Sequence, residues 1–207
     1  MTKVTGLAML LVIALVFTGS PQVLFEDHFE YESTGAAVAA GWQFGGIARL
    51  VDERLLTGET MPVIPFPSPS RAAYFGTVDI LSGTGNYAVD GQAIGTLTSP
   101  FIPLGGYEYI VIRFSYFREV EYGAPGYDLT WVEVSFDRGN SWQQVPGADW
   151  DSSVPSQGEW VEYVSEPIPV PTEAAGILVR FKFDSVDGYA NDYLGWLIDD
   201  VTVEASV

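Results

Sequence analysis

Several long segments of the sequence alternate strictly between two kinds of residue, and this alternation limits the fold more than any other feature. In segment 176–184 one set of alternate positions is entirely apolar, and it consists of Ile177, Val179, Phe181 and Phe183. The intervening positions include Arg180 and Lys182. Successive side chains of a strand point to opposite faces of a sheet. The pattern therefore predicts half-buried strands of an antiparallel sheet.

Ten segments are predicted to form strands, and stretches rich in Gly and Pro separate them. They are 23–29, 42–51, 71–78, 93–99, 107–117, 129–137, 142–145, 159–165, 176–184 and 193–204. No segment after residue 22 keeps a long helical period, and the sequence contains no internal repeat. This combination predicts an all-β chain, folded as a single two-sheet antiparallel jelly-roll sandwich over residues 22–207.

The composition excludes several classes of protein. The chain carries 27 acidic residues against 9 lysines and arginines, which gives a net charge of −18. Nucleic acids and anionic lipids require a basic surface, so we expect no binding to either. The absence of cysteine excludes disulfides, thiolate metal sites and cysteine nucleophiles. The 6 Trp, 11 Tyr and 12 Phe supply too much apolar surface for a disordered acidic tail.

The first twenty residues have the order of a secretory signal peptide. Lys3 precedes an apolar run over residues 6–17, and three small residues follow, Thr18, Gly19 and Ser20. The run is short for a membrane span, which needs about 20 residues. The sequence therefore predicts a signal peptide over residues 1–20 and a secreted, extracellular or periplasmic protein whose mature chain does not insert into a membrane. An uncleaved N-terminal anchor is the alternative.

Residues 135–142 match the pattern S-x-D-x-G-x-x-W, which resembles the Asp-box hairpin of sialidases and other secreted β-proteins. Asp137 is placed to accept backbone N–H groups across the turn, and Gly139 is free to adopt a positive φ. Trp142 is expected to pack back on the hairpin. The pattern predicts a structural turn and is not specific for catalysis.

Blocks near the two ends of the chain indicate a family. Phe25-Glu26 and Gly41-Trp42 stand near the start, and Gly195-Trp196-Leu197-Ile198-Asp199-Asp200-Val201 stands near the end. Between them lie G-x-L-x-S-P at 95–100 and V-x-V-S-x-D-x-G-x-x-W at 132–142. This order of blocks resembles MAM-like jelly rolls, including the choice-of-anchor J group, and is similar to jelly-roll carbohydrate-binding modules. The chain differs from animal MAM domains in having no cysteine.

The resemblance implies a structural calcium ion that joins the first and last strands. Carried over by position, its ligands are Glu30 and either Asp199 or Asp200, with Asp27 as a further candidate. Carboxylate and carbonyl oxygens are the ligands that calcium prefers. Adjacent residues of a strand point to opposite faces, so one of the two C-terminal aspartates is expected to enter the site. The alternative is that all these acids are simply solvated.

The sequence offers little for catalysis. The one histidine, His28, lies among acids in a predicted strand, where a Ser-His-Asp triad is not expected. The patterns H-E-x-x-H and G-x-S-x-G are absent, and Glu26 to Glu30 do not match the E-x-D-x-E motif of laminarinase-type jelly rolls. We therefore expect no enzyme activity. A glycoside hydrolase is the minor alternative, because it needs only two carboxylates.

Aromatic residues in predicted loops and on polar strand faces are the candidate ligand-binding residues, because sugar rings stack on flat aromatic faces. They are Trp131, Tyr127, Tyr122, Trp150 and Tyr189. Side chains suited to bond sugar hydroxyls are Asp128, Asp149, Asp151, Gln143, Gln144, Arg118 and Asn191. Trp131 alternates with Val132 and is expected to face away from the core. The alternative is that most of these rings pack in the core or on hairpins.

These features support three functions. The first is an exported, calcium-stabilised, non-catalytic module that recognises a glycan or an extracellular surface partner. The second is a structural or adhesive extracellular protein that self-associates through its sheet edges, with strand 23–29 as a donor. The third is the hydrolase. The net negative charge is compatible with all three functions.

Overall fold

The computed structural model describes residues 21–56 and 65–207, so the predicted signal peptide lies outside the described residues. In these residues fifteen strands are present, with one short α-helix, α1 (Thr34–Ala39), and one 3-10 turn (Glu53–Leu55). The strands are β1 (Gln22–Asp27), β2 (Gln43–Gly46), β3 (Ala48–Asp52), β4 (Arg71–Phe75), β5 (Thr77–Asp79), β6 (Thr84–Asn86), β7 (Ile94–Thr98), β8 (Ile102–Pro103), β9 (Tyr109–Glu119), β10 (Leu129–Ser135), β11 (Gln143–Trp150), β12 (Val161–Val164), β13 (Ile168–Pro169), β14 (Gly176–Asp184) and β15 (Gly195–Ser206).

The strands form a two-sheet antiparallel jelly-roll sandwich, as predicted. One sheet has the order β12-β9-β15-β4-β3, with β1 paired to β15 and β13 paired to β9. The other has the order β11-β10-β14-β7-β2, with β8 paired to β14. A separate two-stranded sheet joins β5 and β6. Sequence neighbours often lie in different sheets, which brings distant segments together at each end of the sandwich.

The inner faces of the two sheets supply the core. The residues of β14 that the sequence assigns to one face are fully buried, namely Ile177, Val179, Phe181 and Phe183. Arg180 and Lys182, on the other face, are partly exposed. Aromatic rings join the two sheets at the centre, where Phe181 of β14 lies 5.1 Å from Phe114 of β9 and 6.0 Å from Trp196 of β15, measured between ring centroids. The period of two therefore correctly predicted which residues face inward.

The predicted strand 42–51 is wrong as a single element. It divides into β2, which pairs with β7, and β3, which pairs with β4 in the opposite sheet. The break falls at Gly46, which has φ +62°. The next residue, Ile47, donates its N–H to the carbonyl of Ile94 at 2.9 Å. The chain thus crosses between sheets at a residue without a side chain.

The short helix α1 is a feature that the sequence patterns did not predict. Ser33 caps it by accepting the N–H of Ala36 on its Oγ at 3.2 Å. Ala37 is buried against the core, and Thr34 Oγ1 accepts the N–H of Leu50 in β3 at 3.1 Å. A helix of six residues is too short to show a helical period.

The N-terminal strand, which the sequence suggested as a donor for self-association, pairs within the chain. Strand β1 pairs with β15 from Gln22↔Ala205 to Asp27↔Val201, so its hydrogen-bonding groups on that side are already used. Among the described residues there is no helix long and apolar enough to cross a membrane.

Candidate functional site

An open cleft of about 490 Å³ lies at one end of strands β10 and β11. Trp131 and Trp150 line it together with two carboxylates, Asp149 and Asp151. The remaining lining residues are Leu129, Thr130, Gln144, Ser153 and Val154. The volume lies within the range of small-molecule sites, and an apolar surface with a few placed polar groups is typical of them. This cleft is the candidate functional site.

A bulge in β11 opens the cleft. Trp131 pairs with Asp149 and Glu133 pairs with Gln144, so residues 145–148 stand opposite Val132 alone. Gly147 within the bulge has φ +74°. Extra residues in one strand bend it away from its partner. Gln144 and Asp149, at the two ends of the bulge, therefore flank a gap that Trp131 faces.

The indole of Trp131 is fixed on the outer face of the sheet. Its neighbours Thr130 and Val132 are buried, so Trp131 points away from the core as predicted. Its Nε1–H donates to Glu133 Oε1 at 2.8 Å, and Lys182 Nζ lies 4.6 Å from the ring centroid. Glu133 in turn accepts from Arg180 Nε at 2.9 Å. These contacts hold the ring in one orientation before any ligand arrives.

Trp150 forms the other aromatic wall and also belongs to the core. Its ring lies 4.9 Å from that of Tyr116 and 5.8 Å from that of Tyr163. It is partly exposed because it stands at the end of the edge strand β11. Trp150 thus packs in the core and also lines the cleft. The two roles that the sequence suggested for aromatic residues, core packing and ligand binding, both fit its position.

Arg118 is not a surface donor, which corrects the expectation from sequence. It is 6% exposed and lies beneath the cleft. Its guanidinium donates to Thr130 Oγ1 at 2.9 Å, to the carbonyl of Asp128 at 2.9 Å and to that of Val154 at 3.2 Å. Burial lowers its pKa to about 10, so it stays charged at neutral pH. It ties strand β10, through Thr130, to the loop after β11, through Val154.

The burial of Arg118 was predictable from the alternation in its strand. Arg118 continues the even-numbered set of β9 that contains Ile110, Ile112, Phe114 and Tyr116, all of which face inward. Two other residues expected to contact sugars are also buried, Asp128 at 1% and Asn191 at 4% exposure. Both lie in loops, where alternation carries no information about burial.

The three candidate tyrosines lie outside the cleft. Tyr122 and Tyr127 are exposed on the loop that precedes β10. That loop is tied to the cleft, because Gly126 N donates to Asp151 Oδ2 and Ser152 N donates to the carbonyl of Tyr127, both at 2.9 Å. Tyr189 is 81% exposed on a different loop and does not line the cleft. The structure therefore groups Trp131 and Trp150, with Tyr122 and Tyr127 beside them.

The predicted calcium ligands are placed near one another but have different partners. Asp199 is fully buried, and its Oδ2 accepts from Ser68 Oγ at 2.9 Å. Ser68 Oγ also lies 3.2 Å from the carbonyl of His28. In the described part of the chain no cationic side chain pairs with Asp199, and burial raises its pKa to about 7. A buried carboxylate thus adjoins only oxygen and N–H groups.

The other three acids have separate contacts. Asp27 accepts from Trp42 Nε1 at 2.7 Å, from Phe29 N at 2.8 Å and from Tyr31 Oη. Glu30 Oε1 accepts the N–H of Arg71 at 2.8 Å. Asp199 and Asp200 lie in a β-bulge of β15, so the predicted alternation between faces is interrupted there, and Asp200 contacts His28 Nδ1 at 2.6 Å. Across residues 21–56 and 65–207, no three His, Asp or Glu side chains are grouped as a metal site.

The Asp-box hairpin has the contacts that its sequence predicts. Asp137 Oδ1 accepts the N–H of Ser141 and the hydroxyl of Ser135, both at 2.8 Å. Hydrogen bonds from these serines lower the pKa of Asp137 to about 2. Gly139 has φ +90°, and its carbonyl accepts Trp142 Nε1 at 3.1 Å. All these contacts are local, so the motif stabilises the turn between β10 and β11.

No protein-family model matches the chain, and no curated protein matches it in sequence. Among solved structures it is similar to TmCBM61 in complex with beta-1,4-galactotriose (14% identity, 86% of this chain and 97% of that chain, TM-score 0.48). It is also similar to the K1 cleaved adhesin domain of Lys-gingipain from Porphyromonas gingivalis W83 (13% identity, 91% and 100%, TM-score 0.49). A third is a xylan-binding domain from CBM 22 (15% identity, 89% and 95%, TM-score 0.43). At these values the similarity concerns the fold alone.

Proposed function

We propose that the protein is an exported, non-catalytic module that binds a glycan of an extracellular surface in the cleft between Trp131 and Trp150. The observation that carries the proposal is the fixed indole of Trp131, held by Glu133 and Lys182 with one side toward the cleft. A ring that is already immobilised loses little conformational freedom on binding, which favours affinity. Gln144, Asp149 and Ser153 line the same space and are suited to bond hydroxyl groups.

The carboxylate of Asp151 supports binding rather than hydrolysis. A glycosidase needs one carboxyl group with a raised pKa, so that it carries a proton for the leaving oxygen. Hydrogen bonds from Ser153 and Gly126 lower the pKa of Asp151 instead. Asp151 is therefore ionised at neutral pH, and its lone pairs are used to hold the loop beside the cleft.

Trp131→Ala tests the proposal. Wild-type protein is screened on a glycan array, and the affinity for the best ligand is then measured by calorimetry. Truncation of a central aromatic contact is expected to weaken binding by roughly tenfold or more. Tyr189→Ala, at an exposed ring outside the cleft, is the matched control and is expected to bind like wild type. Equal affinity of Trp131→Ala and wild type, or no glycan bound at all, contradicts the proposal.

We further propose that calcium binds beside Asp199 and stabilises the contact between the N-terminal segment and β15. The oxygens of Asp199, Ser68 and the His28 carbonyl are hard ligands of the kind calcium takes, and further ligands come from carbonyls or water. The buried charge of Asp199 lacks a cationic partner among the described residues, which a bound cation would supply.

Thermal unfolding with EDTA, and then with millimolar calcium or magnesium, tests this site. At a hundredfold excess over Kd a ligand adds about 2.7 kcal/mol, so calcium is expected to raise Tm by several degrees. Asp199→Asn is expected to lose this response. Without calcium the gain from removing a buried charge is offset by the loss of one acceptor oxygen, since both oxygens of Asp199 accept hydrogen bonds. An equal calcium response in the variant, or none in wild type, contradicts the proposed calcium site.

Self-association through sheet edges is the second function that the sequence supports, and the engagement of β1 by β15 weakens it. Gel filtration of the mature chain measures it directly, since a monomer elutes at a size somewhat below the 22.6 kDa of all 207 residues. The MAM-like and choice-of-anchor J resemblance stays a prediction from the sequence blocks.

A further inference from the structure

The surface that a ligand meets in the cleft is aromatic and anionic. Asp149 is exposed and lines the cleft opposite Trp131, with which it pairs across the strands. Asp151 accepts hydrogen bonds from Ser153 N and Gly126 N, each at 2.9 Å, and these fix its carboxylate at the rim. The polar groups on the walls are therefore mainly acceptors and negative charges.

The neighbouring cations lie outside the lining. Arg118 is buried beneath the floor, with its donors directed at Thr130, Asp128 and Val154. Lys182 contacts the ring of Trp131 and does not line the cleft. Arg180 is paired with Glu133 on the outer face of the sheet. None of these three cationic residues is among the residues that line the cleft.

The net charge of the whole chain also favours cationic ligands over anionic ones. A net charge of −18 repels acidic polysaccharides and attracts cationic ones, which affects both encounter rate and selectivity. An ammonium group between aromatic faces and carboxylates gains cation–π attraction and charge-assisted hydrogen bonds. The cleft offers both kinds of partner, from Asp149, from Trp150 and from the side of the Trp131 ring that Lys182 does not cover.

We infer that the cleft selects glycans with free amino groups, of the glucosamine type, over neutral and acidic glycans. The inference rests on the proposed function, since it names the ligand class of the same site. The ammonium group is bound against the indoles and beside Asp149, while the hydroxyl groups bond Gln144 and Ser153. Acidic glycans are rejected by Asp149 and Asp151.

Three oligosaccharides of equal length and different charge test the inference: a glucosamine oligomer, its N-acetylated counterpart and an oligogalacturonate. Affinities are measured by calorimetry at a pH where the amine is protonated. The glucosamine oligomer is expected to bind about tenfold more tightly than the neutral one, which is about 1.4 kcal/mol. This preference should shrink at high salt. The oligogalacturonate is expected not to bind.

Asp149→Asn removes the proposed charge and is expected to abolish most of the preference while the neutral oligomer still binds. Asp90→Asn, the same change at an exposed site outside the cleft, is expected to leave the preference unchanged. Equal or tighter binding of the neutral or acidic oligomer overturns the inference, and so does tighter binding of an oligolysine peptide. If the neutral oligomer binds and depends on Trp131, the proposed function survives that failure. If Trp131→Ala changes the affinity for none of the ligands, the proposed function itself is wrong.

Discussion

Single buried polar residues at the end of the sandwich hold the loops around the cleft in place through hydrogen bonds. Tyr87 Oη donates to Asp128 Oδ2 at 2.8 Å, and the N–H of Glu121 donates to the same oxygen at 3.1 Å. Arg118 bonds the carbonyl of Asp128 from below. Asp128 itself has φ +47°, a conformation that Asp and Asn tolerate better than most residues. One buried carboxylate thus anchors the loop that carries Tyr122 and Tyr127.

Asp128→Asn is predicted to stabilise the protein above pH 6. Burial raises the pKa of Asp128 to about 6 from its usual 3.8, so the native state binds more protons than the unfolded state between these values. Its contribution to stability therefore falls as pH rises through that window. Asparagine avoids this cost and still accepts both hydrogen bonds. We expect a gain of roughly 1 kcal/mol at pH 8, allowing for solvent screening, and almost none at pH 4.

Chemical denaturation at the two pH values measures the difference, with Asp90→Asn as the exposed control. A variant that is less stable than wild type at pH 8 would show that the charge of Asp128 is favourable in the folded protein.

At the scale of elements, local motifs were predictable and connections between sheets were not. The hairpin between β10 and β11 depends on contacts within residues 135–142, so its sequence pattern was sufficient. The separation of β2 from β3 depends on the position of Ile94, which is nearly fifty residues away in the chain. An apolar run through Gly45 and Gly46 looks continuous in the sequence, because glycine is compatible with a strand as well as with a break.

Gly46→Ala is predicted to be strongly destabilising. A Cβ at this position would lie 1.9 Å from the carbonyl oxygen of Ile94, and the φ of +62° disfavours any other residue. The backbone conformation alone costs about 1–2 kcal/mol, and the clash adds to it. Gly91→Ala is the matched control, because Gly91 has φ +94° with no atom within 4 Å of the added carbon. Denaturation midpoints should fall much further for Gly46→Ala, and equal losses would contradict the proposed crossing.

For the molecule as a whole, the net negative charge destabilises the folded state. The net charge of −18 is spread over a surface with few cations, and like charges repel one another in the folded state. The cations that exist are concentrated in specific pairs, such as Arg180 with Glu133 and Arg113 with Glu204. The fold is stabilised by its core, and the surface charge reduces that stability.

Tm is therefore predicted to rise by several degrees when sodium chloride increases from 10 to 150 mM in EDTA. Over this range the Debye length falls from about 30 Å to about 8 Å, whereas salt effects on apolar hydration remain small. An equal concentration of sucrose controls for solute effects. A constant or falling Tm would show that the acids are paired or placed so that repulsion is minor.

Those parts of the structure that depend on neighbours along the chain were predictable from the sequence. Alternation in β9 and β14 defined their inner faces, the Asp-box defined its turn, and alternation placed Trp131 on the outer face. Tertiary structure alone decided the cleft, because a bulge in β11, a loop after Trp150 and an arginine from the opposite sheet have to meet there. It also decided the burial of Asp128, Asn191 and Asp199. Burial is set by what packs against a residue from other strands, and a local pattern contains no record of those contacts.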